Sequence, residues 1–146
     1  MKPYIRLTLM MVVVSAACFC LFACGEKKQG KVMVTEKEFE TEKDGKYTLS
    51  LNVKGKIKNV GDVDVKNVVI TGECRKCDER MISGEWFVTL AEKVPEQKDT
   101  VAYLPAGAEV GFQFKDIAFY YTKSGESPQA NPEGLEVVIE SFETVQ

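Results

Sequence analysis

"KYTLSLNVKGKIKN" (residues 46–59) alternates apolar and polar side chains in unbroken step. Tyr47, Leu49, Leu51, Val53 and Ile57 take the odd positions, with Gly55 as the one gap, and Thr48, Ser50, Asn52, Lys54, Lys56 and Lys58 take the even ones. Successive side chains of a strand point to opposite faces, so a period of two over this length specifies a strand with one buried and one solvated face. Gly55, inside the apolar row, points to a bulge or to another backbone passing close by.

The same signal recurs on both sides. "KVMVTEKEFETE" (31–42) joins the first stretch through Asp44-Gly45, a favoured hairpin turn pair, and its charges suit an edge strand that resists pairing with neighbours. Beyond the turn "NVGD" (59–62), "VDVKNVVITGE" (63–73) carries Val65 out of phase with Val68 and Ile70, which predicts a bulge between them. "GEWFVTLAEKV" (84–94) offers Trp86, Val88 and Leu90 inward, with Trp86 as a core residue. "TVAYL" (100–104) leads through "PAGA" (105–108) into "EVGFQFKDIAFYYT" (109–122), where Val110, Phe112 and Phe114 alternate. A loop rich in turn formers, "KSGESPQANPEG" (123–134), precedes a last strand, "LEVVIESFETV" (135–145). No segment carries a 3.6-residue apolar period. About seven strands at these spacings predict an all-β, immunoglobulin/fibronectin-like antiparallel β-sandwich over residues 32–146.

The chain opens "MKPYIRLTLMMVVVSAACFCLFACGEKKQG". Lys2 and Arg6 form a short positive region, and about 17 apolar or small residues, Leu7 to Ala23, follow without a charge, as in a secretory signal. Leu21-Phe22-Ala23-Cys24 resembles the lipobox of bacterial lipoproteins. That resemblance implies a signal peptide over 1–23, cleavage before Cys24, diacylglycerol on its thiol and acylation of the new amine. Residues 24–31 then read as the lipidated cysteine and a flexible tether, and the membrane is held through acyl chains rather than a spanning helix. Gly25 is not the aspartate associated with inner-membrane retention, so an outer membrane is favoured in a host that has one.

A second resemblance lies in the domain. Gly55-x-Ile57-x-Asn59-x-Gly61, followed later by Leu104-Pro105-x-Gly107 and Val110-x-Phe112, resembles the FxLYD and cell-adhesion-related bacterial domains, small extracytoplasmic modules of immunoglobulin/fibronectin type. The Phe-x-Leu-Tyr-Asp tag itself does not occur. The resemblance covers about residues 47–115 and implies a sandwich that serves as a binding or spacer module.

Composition narrows the chemistry. Removing residues 1–23 from the 146 leaves 123, enough for one domain with its own core. Without Lys2 and Arg6 that part holds 17 basic against 22 acidic residues, interspersed in sign, and offers no basic patch for nucleic acid. Histidine is absent, so Ser-His-Asp and Cys-His sites cannot be built. Cys18 and Cys20 leave with the signal, which makes Cys74 and Cys77 the only thiols of the exported domain. In an oxidising compartment such a pair reads as a disulfide. The alternative is a thiol-dependent redox or metal-handling lipoprotein using Cys74 and Cys77. Against it stand the lack of histidine co-ligands and of a helix whose dipole would lower a thiol pKa. No catalytic residue, metal site or cofactor beyond the covalent lipid is expected. A non-enzymatic binding or accessory module for another envelope protein or an extracellular ligand follows. Its candidate binding loop is Arg75, Lys76, Asp78 and Arg80 around the cysteines, where Glu79 adds a further charge. Tyr120, from the run Phe119-Tyr120-Tyr121, is the candidate exposed aromatic.

Overall fold

A computed structural model describes residues 28–145. The expected signal peptide and the lipidation site Cys24 lie outside the described residues. Seven strands form two antiparallel sheets: β1 (Val32–Lys43), β2 (Thr48–Asn59), β3 (Val65–Cys74), β4 (Glu85–Phe87), β5 (Lys98–Leu104), β6 (Glu109–Tyr121) and β7 (Leu135–Thr144). One sheet runs β1-β2-β6-β4 and the other β5-β3-β7. The chain is thus the all-β sandwich that the alternation predicts.

The core lies between the sheets and consists of Val53 and Ile57 from β2, Val65, Val68 and Ile70 from β3, Leu104 from β5, and Phe112, Phe114 and Ile117 from β6. The odd-numbered row of β2 points inward from Leu51 onward. Tyr47, expected in that row, sits in the four-residue connection before the strand and is 41% exposed. That connection also corrects the hairpin. Asp44-Gly45 lies within a longer loop, closed by the Asp44 N–H donating to Thr48 O, and does not form a two-residue turn. β1 is the edge, and its outward carboxylates face lysines of β2. Glu36 meets Lys56 at 3.0 Å and Glu38 meets Lys54 at 3.3 Å. Exposed pairs of this kind add little stability, but they blunt the edge against strand addition.

Three irregularities keep the apolar residues facing inward. β1 slips by one residue at Thr35, so Val34 pairs with Ile57 and Glu36 with Lys56, and its inward phase passes from Val32 and Val34 to Phe39. β3 carries the expected bulge, with Asn67 at φ 51° and register shifts against β7 between Lys66 and Val69 and between Val69 and Ile70. β6 breaks step at Asp116, with φ 60°, between Phe114 and Ile117. Both peptide groups of Asp116 are occupied there: its N–H donates to Asn52 Oδ1 and its carbonyl accepts from Gln97 Nε2. A further expectation fails at the fourth strand. β4 ends at Phe87, because its ladder with β6 stops there, and Leu90, predicted to point inward, is 76% exposed.

The turns at one end converge on Asn59, which is fully buried. Its Nδ2 donates to Val63 O at 2.8 Å and Leu104 O at 3.1 Å, and its Oδ1 accepts from the Gly61 N–H at 3.0 Å. Its backbone carbonyl accepts from the N–H of Gly107, a residue at φ +78° that glycine adopts without strain. Gly55 is a close approach, since a Cβ there would stand 2.1 Å from the carbonyl oxygen of Glu36 in the bulged β1.

Asn59→Ala should lower stability by roughly 2–4 kcal/mol, because it strands the buried carbonyl of Leu104 and leaves the part-buried Val63 carbonyl and Gly61 N–H without their partner. Asn59→Asp should cost at least as much, since it turns a carboxylate oxygen toward two carbonyls. Urea unfolding of the two variants measures both losses, and a change within about 0.5 kcal/mol, the scale of an ordinary surface substitution, would remove the role given to this amide.

Nearby, the Tyr103 hydroxyl and then the Ala106 N–H donate to Asp64 and hold its carboxyl below the ordinary carboxylate range, while the same contact pushes the Tyr103 phenol up. A depressed folded-state pKa contributes stability above the unfolded-state value and loses it as pH falls through the folded one. Tyr103→Phe should move the Asp64 titration back up, as read by carboxyl NMR. An unmoved titration would count against this contact.

Candidate functional site

β3 ends at Cys74, and the chain turns at once through Arg75 and Lys76 to Cys77. The two sulfur atoms are at disulfide distance, with Cα atoms 5.5 Å apart. The bridged turn is fastened on two sides. Toward the 123–134 loop, the Arg75 N–H donates to Gly134 O at 3.0 Å and Lys76 Nζ meets the Glu133 carboxylate at 2.6 Å. Toward β4, the Asp78 N–H donates to Trp86 O at 3.0 Å and Asp78 O accepts from the Val88 N–H at 2.9 Å. The Asp78 side chain accepts from the Arg80 N–H at 2.8 Å and from Arg80 Nε at 3.3 Å. These contacts, the backbone one first, hold its carboxyl below the usual range.

Between these pieces opens a groove of about 550 Å³. Its walls are Lys76, Cys77 and Asp78 on one side and Pro132 and Glu133 on the other, with Glu85 and Trp86 beneath. The Trp86 indole is fixed by Nε1–H donating to Ala130 O at 3.1 Å and by Tyr120, whose ring centre lies 5.4 Å away at a 56° tilt. Three carboxylates, Asp78, Glu85 and Glu133, outnumber the one lysine, which Glu133 already engages. The groove therefore offers an aromatic surface rimmed by acceptors.

The predicted loop residues divide. Lys76 and Asp78 line the groove, and Arg80 braces Asp78 from outside. Arg75 turns away to pair with Glu136 at 2.7 Å on the outer face of β7. Tyr120, the candidate exposed aromatic, is half-buried behind Trp86 and supports the groove rather than standing free. Trp86, read from the sequence as core, is also half-buried and lies outside the core cluster. Sequence reasoning missed Glu85, Pro132 and Glu133, since nothing in a turn-rich loop announces that it folds back onto a cysteine turn. Among the described residues, no group of three cysteine or acidic side chains comes together as a metal site.

No protein-family model matches the chain, and neither a curated protein nor a solved structure matches it.

Replacing both Cys74 and Cys77 by Ser should lower stability by only about 2 kcal/mol, the chain-entropy value for so short a loop. The accompanying amide NMR changes should be confined to residues 74–80, 85–88 and 130–134. Unfolding of the whole sandwich, or changes spread through β2 and β6, would contradict a clip that shapes only this end.

Proposed function

We propose that the chain is a lipid-anchored, non-enzymatic protein of the bacterial cell envelope that binds another envelope protein or an extracellular ligand through the groove beside Cys74 and Cys77. The observation that carries this reading is the groove itself, in which three separate segments are tied together around Trp86. Loops at the end of a rigid sandwich are where such scaffolds place their recognition surfaces. The acid-rimmed aromatic floor suits a partner surface that presents an apolar or cationic side chain. The N-terminal sequence supports the anchor, with a charged start, an apolar run and Leu21-Phe22-Ala23-Cys24 before a polar stretch. Attachment through lipid places the domain in an oxidising compartment, in keeping with the bridged Cys74 and Cys77.

Two measurements test the reading. Cys24→Ala should release the protein from the membrane fraction and remove the mass of the acyl groups from its N-terminal peptide. A variant that stays in the membrane with unchanged mass would refute the anchor. Trp86→Ala in the lipidated protein should leave the sheet signal in circular dichroism intact and abolish co-purification of the envelope partner. A partner retained at wild-type level would place binding elsewhere on the domain.

A further inference from the structure

Exposed large apolar side chains occur on several parts of the domain, and Tyr47, Met81, Leu90 and Val94 lie away from the end where the chain enters. Of the large apolar side chains exposed among the described residues, Met33, Val60, Tyr103, Phe142 and Val145 gather at the end opposite the groove, each 37–53% exposed. Their neighbourhood is continuous. Val60 follows the last residue of β2, Met33 pairs across from Lys58, and Tyr103 pairs across from Lys66. The Val145 N–H donates to Asp64 O, and the carboxylate of the same Asp64 accepts from the Tyr103 hydroxyl.

The chain enters the domain at this end. The Val60 N–H donates to Lys31 O at 2.7 Å and the Asp62 N–H to Gln29 O at 3.0 Å. The fit is tight. A Cβ on Gly61 would stand 2.2 Å from Gln29 O, and one on Gly30 would stand 2.6 Å from Val65 Cγ1 and 3.3 Å from Phe142 Cε2. Residues 29–31, expected as part of the tether, are therefore stitched between β2, β3 and β7. Cys24 precedes Gln29 by five residues, which even fully extended reach only about 17 Å.

From these observations we infer that the end carrying Val60, Phe142 and Val145 rests on the lipid surface that holds the anchor, with those three side chains entering the headgroup region. The inference rests on lipidation at Cys24. A leash this short keeps the nearest face of the domain within reach of the bilayer, and that face carries the contiguous patch of Met33, Val60, Tyr103, Phe142 and Val145. Partial burial of Val, Phe and Tyr side chains at the boundary between headgroups and acyl chains is favourable, as it is for interfacial helices. The charges there are mixed. Lys31, Lys58 and Lys66 share this end with Asp62, Asp64, Glu109 and Glu143, of which Glu109 lies across from Lys58 and Glu143 meets Lys66 at 3.4 Å and Asn67 at 3.1 Å. Apolar burial, and not attraction to anionic lipid, therefore carries the contact. β2 spans 12 residues, and at about 3.3 Å per residue this posture holds the groove roughly 35–40 Å above the surface, facing away from it.

Trp86 is the only tryptophan, which makes a clean test possible. The full-length lipidated protein is reconstituted into phosphatidylethanolamine/phosphatidylglycerol vesicles containing lipid brominated near the headgroup end of the acyl chain. Val60→Trp and Phe142→Trp, each in a Trp86→Phe background, are compared with the unsubstituted protein. Bromine should quench the reporters at 60 and 142 several-fold more strongly than it quenches Trp86. Protein that floats with the vesicles but shows equal quenching at all three positions overturns the docked posture alone. Protein that fails to float overturns the anchor, and this inference with it. A Val60→Trp variant that loses its sheet signal leaves the decision to the more conservative Phe142→Trp.

Discussion

One buried carboxamide holds the two sheets in their relation to each other. Asn59 closes β2, and its side chain reaches the connection that carries the chain into the other sheet and the last carbonyl of β5. Its main chain meanwhile fixes the turn that starts β6, through Gly107 and Ala108. Four strands therefore take their starting or ending positions from a single residue. Its side chain is fully buried, so its polar atoms must be paired, and its removal would leave the buried Leu104 carbonyl without a donor.

With that end fixed, phase does the remaining work. A strand one residue out of register turns its whole apolar row to solvent. Thr35, Asn67 and Asp116 each absorb a mismatch between sequence pattern and ladder, so Phe39, Ile70 and Ile117 face the core as their predecessors do. The correction at Asp116 also sets the outer end of β6. Tyr120 thereby comes behind Trp86 and Phe119 beside Phe87, which gives the short β4 its place and the groove its floor. Core packing and groove geometry thus share one bulge.

The alternation of residues 49–57 and of Val110, Phe112 and Phe114 made the sandwich legible, because a period of two has only one structural meaning. The bulge in β3 was legible for the same reason, since Val65 and Val68 cannot share a face without one. Asp116 was harder to see: its strain is relieved by Asn52 and Gln97, side chains distant in sequence whose partnership no local pattern reveals. The groove was half legible. The cysteine spacing drew attention to its rim at Lys76 and Asp78, but Trp86 looked like core because apolar neighbours usually mean burial. β4 has too short a ladder to sink that indole into the sandwich, and the partner that fixes it, Ala130 O, lies in a loop without periodicity.

The molecule thus has a direction, with the chain entering at the Asn59 end and the composite groove at the other. In the proposed function the groove end meets the partner. The most direct measurement places a photoreactive residue at Glu85 in the groove and, separately, at Lys37 on the β1 edge of the lipidated protein, in its own envelope. Binding at the groove predicts a specific protein adduct from position 85 that disappears with Trp86→Ala, and none from position 37. Adducts from position 37 alone, or adducts from position 85 indifferent to Trp86, would contradict it.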